Sequence, residues 1–250
     1  MPGQDVLLTA SGIGKRFNAL AVLSDVDFAV REREAIGIVG PNGAGKTTLL
    51  NVLSGALAAD AGRIVFRGQD VSRLDAAERC RRGVARSHQI PRPFAGMTVF
   101  ENLLVGARTG AGEHGEAAYR RCIDTLELCG MLPLANRRAE TLGLLDRKRL
   151  ELARALATDP VLLLLDEIGG GLTDAEAAEL VGVIRVICGR GIAVVWIEHI
   201  VHVLVQVVAR MVCMDAGRVI ADGTPDAVLQ DAAVIDAYLG PSAAHAHSVG

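Results

Sequence analysis

One run, Gly40-Pro41-Asn42-Gly43-Ala44-Gly45-Lys46-Thr47-Thr48, restricts what this chain can become more than any other feature. It matches G-x-x-x-x-G-K-[ST] and lies between an apolar segment, Ala35-Ile36-Gly37-Ile38-Val39, and a helical pattern carrying Leu49, Leu50, Val52 and Leu53. In a strand, loop and helix of this kind the glycines let successive backbone N–H groups point at phosphate oxygens without obstruction by a Cβ. Lys46 adds a positive charge for the β- and γ-phosphates, and the Thr47 hydroxyl is the expected Mg²⁺ ligand. Thr48 opens the helix, whose N-terminal dipole faces the anion. The pattern implies a nucleoside triphosphate bound with Mg²⁺.

With 250 residues, 50% of them hydrophobic, the chain is long enough to bury a large core as one domain or two joined lobes. Its formal net charge of −3 and scattered basic residues imply no nucleic-acid partner. The one basic cluster, Arg79, Arg81, Arg82, Arg86 and Arg92, reads as a solvated helix face. Five cysteines, odd in number and without a CxxC pair, fit a reducing compartment and read as small buried apolar residues. No basic, apolar, small-residue signal pattern marks the start, so a cytoplasmic location is expected. The most membrane-like run, residues 192–209, is interrupted by Glu198, His199, His202 and Gln206 and reads as a buried strand followed by a helix. Residues 241–250 are small and polar and read as a disordered tail.

Periodicity predicts strands at residues 6–10, around Arg16-Phe17, and at 26–30, 36–39 and 63–66. Helical patterns follow at 99–107 and 117–129. Apolar strands return at 161–165 and 193–197 with a helix at 175–188 between them, an order that indicates a parallel sheet. A hairpin at 210–214 and 217–221 and helices at 225–229 and 233–239 complete the prediction.

The apolar strand ending in Leu165 is followed by Asp166 and Glu167. Acids at the carboxyl end of a buried strand sit where open α/β sheets bind ligands. Asp166 is placed to hold Mg²⁺ and Glu167 to polarise an attacking water. His199 stands at the next strand end, within reach of a γ-phosphate.

These residues, in this order, resemble an ATP-binding cassette (ABC) transporter ATPase subunit over about residues 6–240. The resemblance assigns Phe17 to the aromatic position that stacks on adenine. Gln89, in Arg86-Ser87-His88-Gln89, takes the loop glutamine that touches Mg²⁺ and the membrane subunit, and His199 the switch histidine. More narrowly, residues 94–106, 149–160, 223–225 and 234–240 are similar to the branched-chain amino acid uptake group. The implied fold is α/β, a P-loop NTPase (RecA-like) core with an antiparallel β subdomain and an inserted helical subdomain. Residues 1–88 and 156–240 would form the core and its β subdomain, and 89–155 the insertion. The implied function is ATP hydrolysis energising import of a small polar solute, branched-chain amino acids by family default, at the inner face of the cell membrane. Catalysis would rest on Glu167, His199 and Lys46. The partners implied are a second ATPase subunit, two integral-membrane permeases and, indirectly, a solute-binding protein. A soluble ABC ATPase of DNA repair or translation is the alternative, while the lack of an Asn-Lys-x-Asp motif disfavours a GTPase.

Two stretches depart from the family. Its Leu-Ser-Gly-Gly-Gln signature, which holds the partner's γ-phosphate across a dimer interface, here reads Leu142-Gly143-Leu144-Leu145-Asp146. Losing one charge-assisted hydrogen bond there is worth about 1.5 to 3 kcal/mol. Thr173 replaces the Asp or Asn usual in the loop after Glu167. These departures suggest asymmetric pairing with a different ATPase subunit.

Overall fold

The computed structural model describes residues 5–239; residues 1–4 and 240–250, with the tail predicted at 241–250, lie outside the described residues. Strands β1 (Val6–Phe17), β2 (Leu20–Arg31), β3 (Ala35–Val39), β4 (Ala61–Phe66), β5 (Gln69–Asp70), β6 (Val84–Arg86), β7 (Leu162–Asp166), β8 (Ala193–Ile197), β9 (Arg210–Asp215) and β10 (Arg218–Gly223) form two sheets. The first is antiparallel, in the order β2-β1-β4-β5. The second, β10-β9-β3-β8-β7-β6, is parallel except for β10, which closes the hairpin expected after residue 210. Helices are α1 (Lys46–Ser54), α2 (Ala76–Arg81), α3 (Val99–Thr109), α4 (Gly115–Leu128), α5 (Leu144–Leu156), α6 (Asp174–Gly189), α7 (Val201–Leu204), α8 (Pro225–Leu229) and α9 (Ala232–Leu239).

Every residue of β3, β7 and β8 is buried, as continuous apolar runs require when both faces of a strand are covered. Alternation then sends successive side chains to opposite sides. Leu162 and Leu164 join a cluster with Leu49, Leu50 and Leu53 of α1 and the inner face of the antiparallel sheet, whereas Leu163 and Leu165 join one built on α3, α4, α5 and α6. Helix α1 is thus held between the two sheets. Polar side chains set several helix starts: Asp75 with Glu78, Thr98 with Glu101 and Thr173 with Glu176 form reciprocal capping boxes at α2, α3 and α6.

Three expectations about strands, helices and cysteines change. The strands expected at 6–10 and near Phe17 are one strand, whose register shifts between Ala10 and Ile13 while Gly12 takes φ +62°; this bulge absorbs the break in the apolar pattern. The helix expected within 192–209 is the single turn α7, and among the described residues no helix is long and apolar enough to cross a membrane. The cysteines are all free, but only Cys122, Cys129 and Cys213 are buried.

The basic cluster is a solvated face only in part: Arg81, Arg82 and Arg92 are exposed, but Arg79 and Arg86 turn inward. Arg79 is 2% exposed, and its guanidinium donates to the carbonyls of Val52 and Leu53 at the end of α1 and to those of Leu74 and Ser72. A buried arginine that satisfies so many carbonyls cannot be truncated cheaply. Arg79→Ala is expected to lower unfolding free energy by about 3 kcal/mol, measured by urea denaturation; a loss near zero would mean that water replaces the guanidinium.

Candidate nucleotide site

Because the core strands run parallel, the carboxyl ends of β3, β6, β7 and β8 open on the same edge. Val39 leads into Gly40, Arg86 into Gln89, Asp166 into Glu167, and Ile197 into Glu198 and His199. Register reinforces this, since Ile197 pairs with Asp166 on one side and Ile38 on the other. The chain positions segments far apart in sequence by a rule of topology, and ligand sites form at such edges.

The phosphate loop is built as its sequence predicts. Gly40 has φ +140°, and a Cβ there would stand 2.0 Å from the Met214 carbonyl oxygen, so only glycine fits. Its N–H donates to the Tyr238 hydroxyl of α9 at 2.7 Å. Farther along, Ala44 accepts from the Gly217 N–H of the β9–β10 turn, and Gly217 accepts from Ser24 of β2, so both sheets brace the loop. Asn42, Gly43, Ala44, Gly45, Lys46, Thr47 and Thr48 line a cavity of about 190 Å³ that Glu167 also faces. Lys46 donates to the carbonyls of Gly40 at 2.7 Å and Pro41 at 2.9 Å. Burial pushes the pKa of its ammonium down, opposed by Glu167, Cys213 and Asp166. Helix α1 begins at Gly45 with no side-chain cap, leaving its first N–H groups to a ligand.

Opposite the loop, Thr47 Oγ1 donates to Asp166 Oδ1 at 3.2 Å. Glu167 adopts φ +46°, unusual for a residue with a Cβ, and its carboxylate is bracketed. Gln89 Nε2 donates to one oxygen at 2.5 Å and His199 Nε2 lies 2.7 Å from the other. Residues 89, 167 and 199, singled out separately in the sequence, therefore meet. Phe17 stands apart at the end of β1, 47% exposed, with the Lys15 ammonium 5.8 Å from its ring centroid. A larger cavity, about 760 Å³, lies between α4 and the starts of β7 and β8 and contains none of these residues.

Three further charged groups escaped sequence reasoning. Arg86, expected on a solvated face, donates through Nη2 to Asp166 Oδ2 at 2.7 Å and through Nη1 to Asn51 of α1. Glu198, 3% exposed, accepts the Gly169 N–H at 2.6 Å and so pins the loop that follows Glu167. Lys148 of α5 is 5% exposed; burial lowers its pKa, opposed by Glu198 and Glu167. The only sequence signal for Glu198 is its place at a strand end.

At the departing signature, Gly143 is the cap residue of α5 and makes no side-chain cap bond. A Cβ at Gly143 would meet nothing within 4 Å, whereas Leu144 is 45% exposed and its Cδ2 comes within 3.3 Å of a Cβ placed on Gly171. Thr173 caps α6, donating to Glu176 Oε2 at 2.8 Å.

Burial raises the pKa of Glu198 above that of an ordinary glutamate, with Glu167 adding to the effect. A raised folded-state pKa favours folding below the unfolded value and loses that contribution as pH rises through the folded value. Glu198→Gln keeps an acceptor for Gly169 and cannot ionise. Thermal melts across pH should show the variant gaining over wild type at neutral pH, with the gain vanishing in acid; a pH-independent difference would contradict this.

Comparison with known proteins agrees with this geometry. A family model described as "ABC transporter" matches residues 23–169, and one described as "Branched-chain amino acid ATP-binding cassette transporter" matches 218–240. The chain is 36% identical over 249 residues to the high-affinity branched-chain amino acid transport ATP-binding protein LivG of Salmonella typhimurium, covering 94% of this chain and 98% of that one. It is 32% identical over 234 residues to the lipopolysaccharide export system ATP-binding protein LptB of Haemophilus influenzae, covering 94% and 97%. A crystal structure of a nucleotide-free ATP-binding cassette from an ABC transporter superposes with a TM-score of 0.87 at 30% identity, over 94% of this chain and all 100% of that one. The chain belongs to the ABC transporter family as an ATP-binding, ATP-hydrolysing transport subunit, with the P-loop α/β fold expected.

Proposed function

We propose that this ABC transporter subunit hydrolyses ATP to drive uptake of a small polar solute, branched-chain amino acids first among them, as a peripheral protein on the inner face of the cell membrane. The convergence of Gln89 and His199 on Glu167 beside the phosphate loop carries the ATPase reading. The match at 218–240 and the likeness to LivG support the solute. The proposed core is 1–88 with 156–240, and 89–155 is the helical insertion that meets the permeases.

In this reading the backbone N–H groups of Gly43 and of residues 45–48 cradle the phosphates, those of Gly40 and Ala44 being engaged by Tyr238 and Pro41, and Lys46 leaves the Gly40 and Pro41 carbonyls for the β- and γ-phosphate oxygens. Phe17 stacks on adenine. Glu167 orients and deprotonates the attacking water for in-line displacement at the γ-phosphorus, while His199 stabilises charge developing there. Thr47, Asp166 and Gln89 offer only oxygen donors, and the hydroxyl and carboxylate oxygens of the first two lie 3.2 Å apart. Among the described residues no three His, Cys, Asp or Glu side chains come together to hold a metal ion of any kind. The set fits Mg²⁺, which keeps several ligand places for water and phosphate. When bound, Mg²⁺ counters the negative charge that develops on the β- and γ-phosphate oxygens. A solute-binding protein would deliver the solute to the two permeases.

The partner proposed is a second ATPase subunit with an ordinary signature. Leu144 and Leu145 put bulk where a phosphate and a glycine backbone must approach, and Asp146 adds negative charge, so the site capped by this chain's α5 turns over slowly. Purified alone, the chain should hydrolyse ATP weakly. Glu167→Gln should abolish turnover while ATP binding persists. The double change Gly143→Ser and Leu145→Gly should raise turnover at least about tenfold, the weight of one charge-assisted hydrogen bond. The free space at Gly143 admits the serine. Brisk, cooperative hydrolysis by the unaltered homodimer would refute the asymmetry, and activity surviving Glu167→Gln would refute its role.

A further inference from the structure

Asp166 has a side chain only 2% exposed at the end of a wholly buried strand. A carboxylate there needs a positive partner, because an unpaired buried charge is among the costliest defects a fold can carry. Among the described residues its salt-bridge partner is Arg86, at 2.7 Å. Lys46, the other nearby cation, is engaged by the loop carbonyls. The side chain of Arg86 is itself 11% exposed and its guanidinium bridges Asp166 to Asn51 of α1, yet its Nε is buried without a partner. Arg86 is therefore held by the charge of Asp166 rather than by a complete set of hydrogen bonds.

The same carboxylate is the one proposed to face Mg²⁺ together with Thr47, so the inference rests on that reading. A dication beside Asp166 and a guanidinium already on it repel one another strongly at this depth. We propose that Arg86 is a placeholder cation: it neutralises Asp166 until Mg²⁺ and nucleotide arrive, then gives the carboxylate up and swings about its anchor on Asn51. It is a positioning residue, acting on the reaction through Asp166.

The location of Arg86 gives the exchange a consequence. It ends β6 and begins the segment Arg86-Ser87-His88-Gln89. Ser87 is fully buried and donates its N–H to Leu164 of β7, while Gln89 holds Glu167. His88 lines a groove of about 300 Å³ with Phe94, Glu151 and Arg154. One short segment thus touches both strand-end acids and a surface groove, and release from Asp166 frees the side chain of its first residue, Arg86, whose backbone stays paired with Leu164. Arrival of the metal is in this way passed to Gln89 and His88.

Three variants of the full chain separate charge from shape. Arg86→Met is neutral and of similar length, Arg86→Gln is neutral but can still bond Asp166 or Asn51, and Arg86→Lys keeps the charge. ADP binding would be followed by calorimetry in EDTA and across a Mg²⁺ titration, with melting temperatures recorded without metal. In wild type, Mg²⁺ should tighten ADP binding. In the Met and Gln variants the Mg²⁺ midpoint should fall about tenfold, as expected when a buried like charge no longer opposes the metal. Their metal-free melting temperature should drop, and saturating Mg²⁺ with ADP should restore most of it. ADP affinity in EDTA should stay within about twofold of wild type, and Lys should behave like wild type throughout, a coupling to metal that a purely structural arginine would not produce. If the Met variant does not fold, the Gln variant decides. An unchanged or higher midpoint in Gln, an equal shift in Lys, or weakened ADP binding in EDTA would each overturn the placeholder role, the last by making Arg86 a nucleotide ligand. A wild type whose ADP binding ignores Mg²⁺ would instead overturn the metal assignment beneath it, and the inference with it.

Discussion

Asp166 closes a strand none of whose residues sees solvent, and the partners that its charge requires organise the rest of the site. One oxygen accepts from Thr47 at the start of α1 and the other from Arg86 at the end of β6. The first ties the carboxylate to the phosphate loop, the second to the segment leading to Gln89. Glu167 follows in a left-handed conformation that turns its carboxylate toward Gln89 and His199. Remove the buried charge and the ties from β7 to Thr47 and to Arg86 lose their shared acceptor.

The scaffold that permits this is the pairing of two sheets on either side of α1. Alternate residues of the parallel strands feed two separate apolar clusters, so a change at Leu163 or Leu165 acts through the helical side and one at Leu162 or Leu164 through α1 and the antiparallel sheet. The phosphate loop is braced by β2, by the β9–β10 turn and by α9, which keeps its N–H groups ordered before any ligand is present. Such preorganisation is what lets backbone amides act on phosphate with little further loss of freedom.

Much of this was legible in the sequence because it is written locally. The apolar runs of β3, β7 and β8, the glycine-lysine loop and the two acids each carry their meaning within a few residues. The long strand β1 was harder, since Gly12 and a bulge interrupt its alternation. The partners of Arg79 and Arg86 lie on other elements, so spacing showed only a basic stretch where the fold makes one arginine a clamp on α1 and the other a counter-charge. Glu198 and Lys148 were hidden for the same reason. Burial of a charge depends on what is packed against it, and no local pattern states that.

The bond between the Gly40 N–H and the Tyr238 hydroxyl joins residues 198 positions apart. β3 itself stands between β8 and β9, neither of which is made until the chain has passed residue 190. During synthesis on the ribosome the phosphate loop is therefore translated early but assembled late, its central strand without neighbours for most of elongation. Contacts of such long sequence separation form slowly, so a nascent chain stalled short of α9 would carry the full loop sequence without the completed cradle.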